Sequence, residues 1–430
     1  MHRPHNVILG AGPAGIFCGT ELNRRGIEHL IIEKENQPGG LAATHSLESG
    51  SYEIGPHILH TSDDYIMEIA REFLGTDLKK VTWKVDQFIA GKLLTFPNSL
   101  SDMIRQLGMT KVAGFVGSYL MSQFYANDNL EAFIYRKVGK KLAHFNVINY
   151  TEKMWGLPIS ELETEWIKPR MDRISIWKII RSLYTQNKRS FFYPQQGAGQ
   201  LYDKMAEKLS VKYNCQPTEI IASDDKIISV RIGTDKVEVD HLFSSIPLVT
   251  FINLLQPQPP VSVLEAIHGL IYRSQVYVIL RVKDKSPIDS QWIYFPEKNI
   301  PFCRVHSPGN FSSSLISSGE SIYVFEYFCD YGDKTWNMEV DNLVDVTMDH
   351  FKKAISRKHI EILEQKIMRN RYAYPLMVSG RQEKFTIVQD YLSQYKNLTS
   401  IGRHGLHTYD NQHDAGRTGI DAAIAYANKR

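Results

Sequence analysis

The sequence predicts an α/β fold: a Rossmann-like nucleotide-binding domain, an inserted helical region and a second, mainly antiparallel sheet. Three observations predict it. Residues 6–33 read strand, glycine turn, helix, strand and acid. A second glycine-rich corner, residues 402–419, precedes an alanine-rich helix over 420–427. Between the two ends, a helical pattern gives way to short segments rich in isoleucine, valine and aromatic residues, which are typical of strands.

The amino-terminal glycine turn has the pattern of a dinucleotide site. The apolar strand 6–9 runs into the sequence GAGPAG, and a helical stretch follows over 16–25. Gly10 permits the tight turn, Gly12 lets a pyrophosphate approach the backbone, and Gly15 lets the helix pack on the strand. The N-terminus of the helix offers unpaired N–H groups to the phosphates.

An acid follows at the place where a ribose would lie. The apolar strand 29–32 ends on Glu33, eighteen residues after Gly15, and its carboxylate can accept hydrogen bonds from ribose hydroxyls. The second strand–GxGxxG–helix unit of an NAD(P) domain is not found; the glycines of Gly114–Gly117 have the wrong spacing. An external reductant or electron acceptor is therefore expected to visit the same site or to act through a partner.

The next elements follow in chain order. Residues 76–190 are largely helical in pattern, with helix starts near Ser101 and Thr110. After a turn cluster over 193–199, we expect a helix over 200–209. Strands are then expected over 218–221, 226–232, 242–247, 276–282, 292–295 and 321–328, an amphipathic helix over 340–356, and a return to the first domain over 391–401.

This order predicts three structural units that are discontinuous in sequence. Residues 1–75, 191–250 and 396–430 form the cofactor domain, because both chain ends serve one cofactor. Residues 76–190 form a mainly helical cap, and residues 251–395 form the antiparallel sheet domain. A chain of 430 residues is long enough for two or three units with a large core.

Composition excludes several classes of protein. Hydrophobic content of 43% and charged content of 23% are ordinary for a globular protein, and a net charge of +3 predicts no nucleic-acid partner. The four cysteines are widely spaced, which favours neither a metal site nor disulfides. A strand that starts at residue 6 leaves no room for a signal peptide, so a cytoplasmic location is expected.

No integral membrane segment is expected. The apolar run 112–121 is far short of the ~20 residues that span a bilayer. The stretch 107–124 could instead be a surface helix that lies on a membrane, but an internal amphipathic helix is the favoured interpretation. Oligomeric state is not predicted.

Several motifs together resemble one superfamily. Glu33 is followed by the pair Gly39-Gly40 and then by Gly55-Pro56-His57. With the first glycine turn, this order resembles the FAD-binding part of the UDP-galactopyranose mutase and protoporphyrinogen oxidase/amine oxidase superfamily. The resemblance implies FAD and a GR2-type FAD-binding domain. It implies these cofactor-binding residues: Gly10, Gly12, Pro13, Ala14, Gly15, Glu33, Lys34, Gly40, Leu41, Gly55, His57, Gly402, Arg403, Asp414, Gly416 and Thr418.

Other stretches are similar to the mutase branch. The segment 150–156, YTEKMWG, resembles a mutase segment whose aromatic residues contact the uridine. The strand-like segment 300–305 and the segment 167–173 resemble those that carry the two pyrophosphate-binding arginines, with Arg170 as an alternative in the second. The resemblance thus implies His57, Arg173 and Arg304 as catalytic residues and, as substrate-binding residues, Tyr150, Trp155, Arg173, Arg304, Tyr374 and Tyr409.

Two functions remain open. In the first, which is favoured, the chain is a UDP-galactopyranose mutase-like enzyme: reduced flavin N5 forms a sugar adduct, and pyranose and furanose rings interconvert while the arginines hold the leaving diphosphate. In the second, it is an FAD-dependent oxidoreductase of the amine oxidase/protoporphyrinogen oxidase type, with hydride transfer from substrate to flavin. Both require a small-molecule substrate. A non-enzymatic FAD-bound scaffold is disfavoured.

Overall fold

Two large sheets organise the chain. The computed structural model describes residues 5–97, 100–125, 129–164, 167, 189–284, 287–357 and 359–430. The strands are β1 His5–Leu9, β2 His29–Ile32, β3 Thr44–Ser46, β4 Ser51–Glu53, β5 Leu78–Thr82, β6 Val85–Ile89, β7 Lys92–Thr95, β8 Ser190–Pro194, β9 Val211–Lys212, β10 Pro217–Ser223, β11 Lys226–Ile232, β12 Asp235–Ser244, β13 Leu255–Gln256, β14 Tyr272–Lys283, β15 Trp292–Tyr294, β16 Arg304–His306, β17 Ser321–Cys329, β18 Glu361–Pro375 and β19 Leu398–Ser400.

Helices cover both faces of one sheet and one face of the other. The longer ones are α1 Pro13–Arg24, α2 Asp64–Leu74, α3 Leu100–Leu107, α4 Met109–Ser122, α5 Leu130–Val138, α6 Asn149–Trp155, α7 Gly199–Ala206, α8 Leu248–Leu254, α9 Val261–His268, α10 Val340–Ala354, α11 Arg381–Ser393 and α12 Gln412–Ala427. In the described part of the chain, none of the helices combines the length and apolar character that a bilayer crossing requires.

The first sheet is mixed, with a parallel core and helices on both faces. Its parallel core runs β9-β2-β1-β12, β19 pairs with β12 in parallel, and an antiparallel meander of β10, β11 and β12 extends it. The strands come from residues 5–32, 211–256 and 398–400, so both chain ends enter one sheet. This arrangement confirms the predicted α/β fold.

Helices α1 and α12 lie side by side on one face of this sheet. Two glycines of α12 make this approach possible: a Cβ on Gly416 would lie 2.6 Å from Cδ2 of Phe17, and one on Gly419 would lie 2.1 Å from the carbonyl oxygen of Ala14. Any larger residue would overlap the neighbouring helix. The prediction that residues 414–419 form a second glycine turn is wrong, because these residues already belong to the helix that begins at Gln412.

The second sheet has the order β18-β14-β17-β16-β15-β6-β7. One face packs under α10 through buried side chains that include Val278, Val305, Phe325 and Phe351. The opposite face carries a row of residues that lie directly across from one another on successive strands. The row is Tyr294, Arg304, Glu326, Tyr277 and Met368.

Two expectations about secondary structure are wrong. Residues 78–95, expected in a largely helical region, form β5, β6 and β7, since β5 pairs with β8 and β6 completes the second sheet beside β15. The amphipathic helix expected over 340–356 is present and ends at Ala354, but residues 361–375, where no strand was expected, form β18, which pairs along the whole of β14. Both misassigned segments depend on partners that are distant in sequence. The boundaries of the three units stay a prediction.

Candidate functional site

The first glycine turn has the geometry of a phosphate cradle. Gly10 has φ of +95°, and its N–H donates to the carbonyl oxygen of Ile32 at 2.8 Å. A Cβ on Gly15 would lie 1.9 Å from the carbonyl oxygen of Gly10, so only glycine lets α1 start so close to β1. A Cβ on Gly12 would meet no described atom within 4 Å, which leaves room for a ligand beside the first turn of α1.

Glu33, the acid expected to bind a ribose, is buried behind this turn. Glu33 is 5% exposed, and its carboxylate accepts the N–H of Ala11 at 2.6 Å and that of Glu35 at 2.9 Å. A Cβ on Gly40 would lie 3.1 Å from Cα of Gly12, so the glycine pair lies against the first turn. The side chain of Lys34 is 65% exposed and forms an ion pair with Glu35, and its contact with the cofactor stays a prediction.

The carboxy-terminal corner meets the amino-terminal turn. Gly402 has φ of +71°, and a Cβ there would lie 2.7 Å from Cβ of Ala14. The Gly402 N–H donates to Oγ1 of Thr418 at 2.7 Å. Asp414 is half exposed and caps α12 by accepting the N–H of Asn411 at 3.0 Å. Both ends of the chain thus border one cradle, which suits a long dinucleotide.

A neutral histidine lies at the inner end of this cradle. Gly55 has φ of +128°, and a Cβ there would lie 3.4 Å from Cε1 of His57 and 3.9 Å from Nη2 of Arg304. Burial, followed by the positive charge of Arg403, lowers the pKa of His57 to about 3. Nδ1 of His57 is buried, accepts no hydrogen bond from the described residues and lies 3.9 Å from Oε2 of Glu53. Nδ1 is closed off, but the His57 side chain is 19% exposed, so a ligand could contact the rest of the ring.

Arg304 is held on the sheet face by a buried carboxylate. Its Nε and Nη2 donate to Oε1 and Oε2 of Glu326 at 2.7 and 2.6 Å. Burial raises the pKa of the Glu326 carboxyl, but Arg304 and His306 outweigh this and lower it to about 2. Nδ1 of His306 lies 3.4 Å from Glu326, and its Nε2 lies 3.1 Å from the carbonyl oxygen of Glu53. Arg304 is therefore fixed rather than mobile.

Aromatic rings form a second wall. The ring of Tyr409 lies 5.3 Å from that of Trp155 and 5.2 Å from that of Tyr374, centroid to centroid. The guanidinium of Arg403 lies 4.7 Å from the ring centroid of Tyr374, a cation–π distance, which joins this cluster to the carboxy-terminal corner. The ring of Tyr150 lies 5.2 Å from that of Tyr294.

A half-buried lysine positions the helix that carries two of these rings. Nζ of Lys153, on α6, donates to the backbone carbonyl oxygens of Phe295, Glu297 and Phe302 at 2.7, 3.0 and 2.6 Å. Burial lowers the pKa of this ammonium to about 8. These bonds attach α6 to the hairpin of β15 and β16 and thereby place Tyr150 beside the strand that carries Arg304.

Many of the predicted site residues lie near the two glycine corners or on the adjacent face of the second sheet. Leu41 packs in the same cluster as Tyr277 on the second sheet. Arg173, together with its alternative Arg170, lies outside the described residues, so its role stays a prediction. The residues brought together around the two corners and the sheet face are Gly10, Gly12, Gly15, Glu33, Gly40, Gly55, His57, Tyr150, Trp155, Arg304, Tyr374, Gly402, Arg403 and Tyr409.

Sequence reasoning missed three residues that shape the site. Tyr294 faces the Arg304 guanidinium, whose carbon lies 6.0 Å from the ring centroid, while Glu326 and His306 fix Arg304 from behind. Glu326 carried a usable signal, because it is the only charged residue in the apolar strand 321–329. A lone carboxylate at a buried strand position needs a cationic or hydrogen-bonding partner, so it marks a polar contact that the sequence does not show directly.

Comparisons with known proteins agree with this geometry. The model of the flavin-containing amine oxidoreductase family matches residues 13–365. UDP-galactopyranose mutase of Mycoplasma pneumoniae is 26% identical over 238 residues, which cover 52% of this chain and 57% of that protein. The aligned part thus spans less than two thirds of the mycoplasma protein.

Solved structures share the fold. A crystal structure of reduced UDP-galactopyranose mutase superposes with a TM-score of 0.86 at 20% identity, covering 100% of this chain and 96% of the other. A protein from Exiguobacterium sp. 255-15 described as a protoporphyrinogen oxidase gives a TM-score of 0.77 at 16% identity, with 100% of both chains covered.

Proposed function

Since this chain belongs to the flavin-containing amine oxidoreductase family and FAD is its cofactor, we propose that it acts on a nucleotide sugar as a UDP-galactopyranose mutase-like enzyme. The fit of the residues to FAD rests on the shared cradle at the two ends of the chain. In it, the first turn of α1 would take the pyrophosphate, Glu33 the ribose, and the region of His57 the flavin ring.

One observation carries the proposal: a fixed arginine and a wall of aromatic rings lie together beside the inner end of the cradle. A nucleoside diphosphate sugar needs a cation for its diphosphate and flat apolar surfaces for its base and sugar. Arg304 supports the first need, and Tyr374 and Tyr409, with Trp155 buried behind them at 1% exposure, support the second. The likeness to the mycoplasma mutase supports the same substrate class.

The roles of the residues follow from their contacts. When bound in its reduced form, FAD supplies a nucleophilic N5, which is the group that the mutase reaction uses. Arg304 would stabilise the negative charge that grows on the departing diphosphate, and its pairing with Glu326 keeps it in place before substrate arrives. His57, neutral at physiological pH, would lie beside the flavin ring without adding charge. Arg173 would supply a second cation.

The test is incubation of dithionite-reduced enzyme with UDP-galactopyranose, followed by chromatography for the furanose form. We expect product with reduced enzyme and none with oxidised enzyme. Arg304→Met should lower kcat/KM by about 10² or more, since charge-assisted contacts to a leaving group contribute about 3 kcal/mol. Arg231→Met, at a half-exposed position on β11, is the matched control. Absence of the furanose product from reduced enzyme that is fully loaded with FAD would contradict the proposal.

One observation favours the oxidoreductase as a second candidate. Glu326 compensates the charge of Arg304, so this guanidinium offers less attraction to a diphosphate than an unpaired one would. A balanced site is compatible with hydride transfer from an uncharged or amine substrate to FAD. Oxygen-dependent turnover of an amine or a porphyrinogen, in the absence of any effect of UDP on the flavin spectrum, would favour this candidate.

A further inference from the structure

Helix α4 is internal on one side only. Val112 and Phe115 are buried in a hydrophobic cluster, as the favoured interpretation of residues 107–124 expects, whereas Leu120 is 60% exposed. A groove with a volume of about 700 Å³ borders the buried side, with Phe115 in its lining. This volume is within the ~300–1,000 Å³ that is typical of small-molecule sites. We call it the lysine groove.

Three lysines line the lysine groove. Nζ of Lys111 lies 4.6 Å from the ring centroid of Phe145, and a Cβ on Gly114, about one turn further along α4, would lie 3.7 Å from Nζ of Lys141. Lys140 is the third, and all three are exposed. The lining contains no Asp or Glu, and within the described residues none of these ammonium groups forms an ion pair. Like charges that converge in this way attract an anion.

Rings form the other walls of the lysine groove. Phe115 and Phe145 line it together with His144, whose Nε2 lies 2.7 Å from the hydroxyl oxygen of Tyr135. That hydroxyl donates to Glu131, so the nearby carboxylate is engaged outside the lining. The groove thus offers cations and flat surfaces without a competing anion in its walls. This combination suits a phosphate ligand that also carries a ring.

Positive charge is concentrated in this part of the chain. Residues 105–141 contain six Lys or Arg and two Asp or Glu, a net charge of +4, whereas the whole chain carries +3 and the remainder therefore −1. The modest total charge hides a local positive field. Such a field raises the concentration of small anions at the groove and speeds their association.

We propose that the lysine groove is a second binding site, for an organic phosphate that carries at least two phosphate groups and an aromatic ring, the chemical class of the nucleoside diphosphates. The ammonium groups bind the phosphate oxygens, and the ring lies against Phe145 and His144. Lysine binds phosphate as a point charge on a flexible stem. The groove therefore selects for charge and a ring rather than for one base, and it does not depend on the proposed substrate.

The lysine groove is distinct from the candidate site, although the two are close in sequence. His144 and Phe145 lie in a π-helical turn, Ala143–Ile148, that runs directly into α6, which carries Tyr150 and Trp155. The lysines of the groove precede this turn or lie on α4, whereas the cation of the candidate site, Arg304, lies on the second sheet. Variants can therefore remove the two phosphate sites one at a time.

Calorimetric titration of the FAD-loaded full chain with ADP and with inorganic pyrophosphate tests the proposal. We expect ADP to bind with a Kd below about 1 mM in the wild type and in Arg304→Met, because Arg304 belongs to the other site. Pyrophosphate, which lacks the ring, should bind at least about threefold more weakly, and added salt should weaken both. Failure of ADP to bind, or loss of ADP binding in a folded Arg304→Met, would overturn the proposal.

Matched variants locate the site. Lys140→Gln with Lys141→Gln should raise the Kd for ADP by about tenfold or more, whereas Lys226→Gln with Lys236→Gln, at exposed positions on β11 and β12, should not change it. Phe145→Leu should weaken the binding of ADP but not that of pyrophosphate.

Flavin absorbance and the melting temperature report that each variant is folded. If the variant without Lys140 and Lys141 binds ADP as the wild type does, the proposal is wrong. It is also wrong if that variant loses binding only to phosphatidylglycerol vesicles, since the groove then takes lipid headgroups rather than a free phosphate.

Discussion

Glu326→Gln is the sharpest single change that the structure offers. It keeps the shape of the side chain and removes its charge, so the guanidinium of Arg304, 14% exposed, loses its buried counterion. The amide can still accept one hydrogen bond from Arg304, but it cannot compensate the charge. We expect Glu326→Gln to fold and to be substantially less stable than the wild type at neutral pH.

Two independent arguments give the expected loss of folding free energy in Glu326→Gln. The carboxyl has a pKa of about 2 in the folded protein against an ordinary 4.5, a shift of about 2.5 units. At 1.36 kcal/mol per unit, this corresponds to about 3 kcal/mol in favour of the folded state. Removal of one partner of a buried ion pair generally costs about 3–5 kcal/mol. The two figures agree in order of magnitude.

The pH dependence of unfolding distinguishes the loss of the Glu326 charge from any change in packing. A depressed carboxyl pKa contributes stability that is complete above pH ~4.5 and is lost as pH falls towards ~2, with about 1.4 kcal/mol left at pH 3. Urea unfolding of wild type and Glu326→Gln at several pH values measures this difference. Arg304→Met and the double variant complete a mutant cycle. A stability difference that stays constant from pH 7 to pH 3, or that is absent at pH 7, would refute the reasoning.

Three further outcomes are expected. Gly15→Ala should abolish tight FAD binding, because its Cβ would overlap the Gly10 carbonyl, whereas Gly117→Ala, at an open helical position, should retain FAD; equal flavin content would contradict this. In the wild type, burial raises the Glu53 pKa to about 7, so the folded state holds a proton that the unfolded state releases, and up to about 3 kcal/mol of stability is lost as pH rises from ~4.5 to ~7. Glu53→Gln should abolish this loss, which thermal melting at a series of pH values measures. His57→Gln should leave the shape of the activity–pH profile between pH 5 and 8 unchanged, because the His57 pKa of about 3 lies far below that range; loss of an ionisation there would show that His57 titrates.

The parts of the fold that local pattern determines were predictable. The glycine turn, Glu33 and the short parallel strands β1 and β2 are contiguous in sequence and require no distant partner. Strands β14, β15 and β17 of the second sheet were predicted because each is a run of apolar and aromatic residues, whereas the segment with β16 was considered strand-like through its resemblance to the mutase branch. FAD followed from the same local motifs and is confirmed by the family to which the chain belongs.

The parts that depend on distant pairing were not predictable. Strand β6 lies beside β15, some two hundred residues away, and its sequence VDQFI gives little indication of a strand. Strand β18 has polar residues on much of its length, so its pattern resembles a helix, and its pairing with β14 overrides this local preference. For the same reason Glu326 was overlooked, because its partner Arg304 lies on another strand.

A buried polar chain explains why charges occupy positions that apolar residues could fill. Glu326 contacts His306, His306 contacts the carbonyl oxygen of Glu53, and the Glu53 carboxylate accepts the N–H of Ala198 at 2.6 Å. These hydrogen-bonded groups lead from the second sheet through β4 to the turn that precedes α7. An apolar interface would tolerate sliding, whereas hydrogen bonds between buried groups are satisfied in one register only. These hydrogen bonds therefore fix Arg304 relative to the cofactor cradle. This gives a reason for placing polar groups at buried positions that apolar residues could fill.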